Sequence, residues 1–193
     1  MHPPDRREQK GARGEKYSDC VGPASLRASS GRSATKETPM TADYELVLTR
    51  HIDAPPTTLF RCWTEPQLLK QWFAPPPFTV AIAETDPRAG GANFILMRSP
   101  DGREIPCPGV YLEVVANWKI VFTDAYTADW SPKTSGKPFM TAIITFDDEE
   151  GGTRYTARVR HWSAEDMKTH IGMGFHEGWG QCADQLAALA RTL

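Results

Sequence analysis

A chain of 193 residues with 40 % hydrophobic content suffices for one folded domain with an appendage. Its 22 basic and 24 acidic residues nearly cancel, and a pI near 6.2 leaves no electrostatic footprint for nucleic acid or an anionic membrane. No apolar run approaches the roughly 18–20 residues of a membrane span, and the N-terminus has no apolar signal-peptide core, so the sequence reads as cytoplasmic.

Residues 1–40 are rich in Arg, Lys, Ser, Gly, Pro and Glu, with scattered single apolar residues that bury too little surface to offset the entropy of ordering. They are expected to be a disordered extension preceding a domain over 41–193. Arg6-Arg7 lacks the apolar stretch of an export signal, and Met40, just before the first patterned segment, is a candidate native start.

Tyr44 to Ile52 reads as a strand, stopped by Asp53-Ala54-Pro55-Pro56. Asp53 can cap a short helix whose apolar side is Leu59, Phe60 and Trp63. A second helix follows Pro66, with Leu68, Leu69, Trp72 and Phe73 inward, and ends at Pro75-Pro76-Pro77. Six strand-like runs come next: Phe78 to Thr85, Ala92 to Arg98, Gly109 to Ala116, Lys119 to Ala125, Phe139 to Asp147 and Thr153 to Trp162. Asp86 to Gly91, Pro100-Asp101-Gly102, Asn117 and Asp148 to Gly152 supply turns, so neighbouring strands should pair antiparallel. In the last run Arg154, Thr156, Arg158 and Arg160 alternate with Tyr155, Ala157, Val159 and His161, which assigns the second set to the interior. Likewise Ile95 and Met97 face inward in theirs. Thr127 to Lys137 reads as a loop in which Trp130 is a candidate lid or partner contact.

From Ser163 to Leu193, Met167, Ile171, Phe175, Trp179, Cys182, Leu186 and Leu189 recur at helical spacing. Gly172, Gly174, Gly178 and Gly180 interrupt the stripe at about 0.8–1 kcal/mol each against alanine. Two offsets are open: close approach of helix to sheet, or room beneath the helix for a ligand. The body is therefore α+β, a meander sheet with one face covered by the final helix.

Cys20, Cys62, Cys107 and Cys182 have no paired spacing and read as reduced, packed thiols. His170 and His176 stand six apart, on different faces of a helix, and no metal site is expected. Asp86 to Gly91 lacks the lysine and the strand-to-helix setting of a phosphate loop. No cofactor is expected.

The element order resembles the SRPBCC (START, helix-grip) superfamily. Its local words are most similar to the C-terminal domain of the activator of heat-shock protein 90 ATPase. Those words are Ile52-Asp53-Ala54-Pro55, Gln71-Trp72-Phe73, Asp86 to Gly91, Pro100-Asp101-Gly102, Phe122-Thr123-Asp124, Gly152-Thr153-Arg154 and Gly174-Phe175-His176-Glu177-Gly178-Trp179. The resemblance implies a helix-grip fold: a curved antiparallel sheet of about seven strands around a long C-terminal helix, with two short helices after the first strand. It also implies a cavity between sheet and helix that in many relatives holds an apolar small molecule. Candidates to line it are Trp72, Ile95, Met97, Tyr111, Thr123, Trp130, Phe139, His161, Phe175 and Trp179.

Three functions fit. The first is binding of an apolar or aromatic small molecule, with Tyr111 and His161 as polar tips. The second is an enzyme of cyclase, dehydratase or hydrolase type in the same cavity, for which His161, Asp124, Glu113 and His176 are the available acids and bases; they form no recognisable pair, which favours binding. The third is stimulation of a chaperone ATPase. It ranks last because the large N-terminal domain of the eukaryotic co-chaperone has no counterpart in this sequence. The sequence allows a monomer or a homodimer.

Overall fold

The structure is a computed structural model that describes residues 44–134 and 138–193. The readings of 1–40 as disordered, of Met40 as a start and of Cys20 as a packed thiol lie outside those residues, as does the 135–137 part of the Trp130 loop.

β1 (Glu45–Ile52) leads into α1 (Pro56–Thr64) and α2 (Pro66–Leu69), then β2 (Thr79–Thr85), β3 (Ala92–Arg98), β4 (Glu104–Val115) and β5 (Lys119–Thr123). A small hairpin of β6 (Tyr126–Thr127) and β7 (Ser131–Pro132) precedes β8 (Met140–Glu149), β9 (Gly152–His161), α3 (Ala164–Gly172) and α4 (Phe175–Ala190). The main sheet is antiparallel in the order β1-β9-β8-β5-β4-β3-β2. Register shifts between Val80 and Ile82 and between Tyr111 and Glu113 bend it. Its inward side chains, among them Ile95, Ile120, Ile144 and Val159, share one core with Leu59 and Trp63 of α1 and Phe175, Ala183 and Leu186 of α4. This is the α+β helix-grip architecture. No described helix is long and apolar enough to cross a membrane.

Several local expectations change. α1 is capped by Pro55 with Pro56 at its first position, and no side chain caps it, so Asp53 does not act there. Preset proline φ angles start this helix instead. β4 begins at Glu104, five residues before the expected Gly109, despite Pro106 and Pro108. It is tolerated because β5 joins β4 only from Val110, which leaves one edge of the proline segment without a strand to satisfy. Thr156, placed with the solvent-facing arginines, is buried, flanked by Thr49 and Thr145 on the neighbouring strands. The single C-terminal helix is two. Gly174 at φ 85° breaks it, a left-handed conformation that glycine adopts without steric cost. The break lets α3 cross the end of β9 while α4 lies over the sheet, packed against β1 and α1.

Candidate functional site

Between the sheet, the α1–α2 segment and the start of α4 lies a cavity of about 410 Å³. Its inner wall is aromatic. Trp63 meets Trp72 at 4.9 Å between ring centroids, Phe73 at 5.9 Å, Phe122 at 6.0 Å and Tyr155 at 6.5 Å. These rings are held by polar contacts behind them. Trp72 Nε1 donates to the Cys62 carbonyl at 3.0 Å, and Gln185 Nε2 of α4 donates to the carbonyls of Trp72 and Ala74, each at 2.9 Å. The last helix is thereby pinned to the segment that carries Trp72 and Phe73.

Polar side chains line the cavity as well. Asp124 accepts from the backbone N–H groups of Phe139 and Met140 at 2.8–3.0 Å and pairs with Lys133 at 2.7 Å. His170, on α3, also lines the cavity and packs against Phe139 and Phe175. Burial first, and His161 second, hold its pKa down to about 4, so it is neutral at ordinary pH. Burial pushes the Cys182 thiol up to about 12 and raises that of Cys107 too, so both cavity thiols are protonated and unreactive.

Over this cavity α4 presents glycine. Gly174 and Gly178 both line it, and a Cβ on Gly178 would meet only Pro75 Cγ, at 3.8 Å. Room beneath the helix thus accounts for Gly178. At Gly180 a Cβ would come within 3.3 Å of the Arg50 guanidinium, the far end of an exposed side chain that can give way, so close approach alone does not explain it. Gly172 meets nothing within 4 Å, and nothing in the structure explains it.

Of the side chains proposed from sequence, Trp72, Ile95, Met97, Thr123, Phe139, Phe175 and Trp179 line the cavity. The Thr123 hydroxyl is already engaged, donating to the Met140 carbonyl at 3.0 Å. Tyr111, His161 and Trp130 do not line it. Tyr111 is buried where the Asp86–Gly91 turn closes on β4, its backbone paired with Gly90 and Gly91. His161 points inward but stands behind His170, its Nε2 2.9 Å from His170 Nδ1. Trp130 is no lid on the cavity, because positive φ at Asp129 and Trp130 turns its ring onto Gly90, where a Cβ would come within 2.9 Å of the indole nitrogen. Trp63, Phe122, Tyr155 and His170 also line the cavity and were not among the candidates. Strand alternation had already turned Tyr155 inward. For His170 there was no such signal, since its role depends on where α3 crosses the sheet. Among the acids and bases considered for catalysis, Glu113 pairs with Lys119 at 2.7 Å, His176 is exposed, and Asp124 alone lines the cavity.

Comparison with known proteins follows the same outline. The family model described as "Activator of Hsp90 ATPase homolog 1-like protein" matches residues 53–191. Among solved structures, a protein of Nitrosomonas europaea is 36% identical, aligning over 79% of this chain and 97% of its own with a TM-score of 0.75. One from Mycobacterium smegmatis is 28% identical over 76% of this chain and 90% of its own, TM-score 0.65. An AHSA1-like protein of Aeromonas hydrophila, 17% identical over 77% of this chain and 92% of its own with a TM-score of 0.58, is alike in fold alone. No protein of curated function matches.

Proposed function

This chain belongs to the family of activator of Hsp90 ATPase homolog 1-like proteins, and from that premise we propose that it binds an apolar or aromatic small molecule in the cavity between the sheet and α4. One observation carries the reading: a hollow of about 410 Å³, walled by aromatic and aliphatic side chains, lies under a helix that places glycine rather than a filling side chain above it. That volume falls in the roughly 300–1,000 Å³ range of small-molecule sites, and a few polar groups among an apolar lining suit orientation of a ligand. Nothing in the acid–base arrangement favours catalysis over binding. We place this binding in the cytoplasm, which suits the free thiols Cys62, Cys107 and Cys182.

The neutral dye N-phenylnaphthylamine tests the reading. Saturable enhancement and blue-shift of its fluorescence at one dye per chain is the expected result. Non-saturable enhancement, or none, overturns it.

A further inference from the structure

On the aromatic wall of the cavity one buried hydrogen-bond donor has no partner. Trp63 is 3 % exposed, and its Nε1–H is buried without a hydrogen-bond partner. Beside it stands Tyr155, 2 % exposed, stacked at 6.5 Å between centroids. The indole N–H approaches the Tyr155 hydroxyl without reaching hydrogen-bond geometry, and the nearby Cys182 thiol already donates to the Phe73 carbonyl at 3.0 Å. The indole N–H and the phenol O–H are thus two neighbouring donors, and the Trp63 N–H has no acceptor in hydrogen-bond geometry. If a small rotation brings the N–H onto Tyr155 Oη, the phenol proton is still left to find an acceptor. Leaving such a group unmet in an apolar setting is costly, and buried polar groups in folded proteins are nearly always paired. Tyr155 lines the cavity, so the acceptor can come from there.

Charge narrows what that acceptor is. No cation lies among Trp63, Trp72, Phe73, Phe122 and Tyr155. Lys133, which also lines the cavity, is paired with Asp124 at 2.7 Å. A carboxylate carried to the aromatic wall would be desolvated with no counter-charge, whereas a carbonyl or ether oxygen would lose only its water hydrogen bonds and regain one from the phenol. Resting on the reading of this cavity as a ligand site, we propose that Tyr155 is its specificity-determining donor: the ligand enters with an uncharged acceptor oxygen leading, which receives the Tyr155 O–H while Trp63 Nε1–H supports Tyr155 Oη.

Shape-matched pairs that differ by carbonyl against methylene test this: benzophenone and diphenylmethane, fluorenone and fluorene, anthrone and dihydroanthracene. Affinities are read by displacement of N-phenylnaphthylamine from the wild-type protein and from Tyr155→Phe. The ratio of ketone to hydrocarbon affinity is expected to fall about tenfold in the variant, the effect of one buried hydrogen bond. An unchanged ratio overturns the proposal and leaves the cavity reading standing. Failure of all six compounds to displace the dye overturns both. A second measurement needs no variant: the infrared carbonyl stretch of fluorenone bound to wild-type protein is expected where it lies in alcohol, and a position matching that in alkane overturns the proposal.

Discussion

His161 Nε2 and His170 Nδ1 meet at 2.9 Å in the interior, and His161 Nδ1 lies 3.1 Å from the Tyr44 carbonyl oxygen. A carbonyl only accepts, so His161 Nδ1 carries a proton and donates it there. His161 Nε2 and His170 Nδ1 then face each other as one donor and one acceptor. The pair ties α3 to the end of β9 and to the residue before β1.

That arrangement makes stability depend on pH. His170 has a folded pKa of about 4 against 6.5 for the free side chain. Below 6.5 the unfolded chain takes up the proton first, so stability is lost as pH falls from 6.5 to about 4 and levels off below. Between pH 6.5 and 4.5 the wild-type protein is expected to lose about 2 kcal/mol more than His170→Phe, which keeps an aromatic ring without the titration. Urea unfolding of both proteins at the two pH values checks this; parallel losses would count against it.

Gly178 separates stability from binding. A Leu there has space under its Cβ and should extend into the cavity, which removes the helix cost of glycine, about 0.8–1 kcal/mol, and adds apolar burial. Gly178→Leu is expected to gain about 1–3 kcal/mol in stability and to lose N-phenylnaphthylamine binding by tenfold or more. A destabilised variant that binds normally would show that the hollow does not lie under this residue.

The β8–β9 turn holds two glycines with opposite constraints. A Cβ on Gly152 would collide with the Ile52 carbonyl oxygen and come within 3.1 Å of Asp53 Cα, and backbone atoms cannot give way. Gly151 has φ 81° but open space around it. Gly152→Ala is expected to cost about 3 kcal/mol and Gly151→Ala about 1 kcal/mol, the first from overpacking and the second from a left-handed backbone. Denaturant midpoints for the two variants give the order, and the reverse order would contradict this account.

Much of the site was readable from periodicity. Alternation turned Ile95, Met97 and Tyr155 inward, and the helical stripe did the same for Phe175 and Trp179. Inward direction does not distinguish a residue that packs from one that borders a hollow. Tyr111 and His161 point inward yet are covered, one by the Asp86–Gly91 turn and the other by His170. Trp130 departs from the lid reading for a different reason: two consecutive left-handed residues turn it onto Gly90, and nothing in its local composition demands them.

What this sequence determined by itself is most of the order and kind of its elements and the buried face of most strands, because these follow from side-chain spacing along a single segment, while its local words carry the family resemblance. The tertiary structure alone decided where the last helix breaks, that His161 and His170 form a pair, and that Trp63 and Tyr155 converge with one donor unpaired. Those depend on distances between segments far apart in the chain, and local periodicity carries no such information.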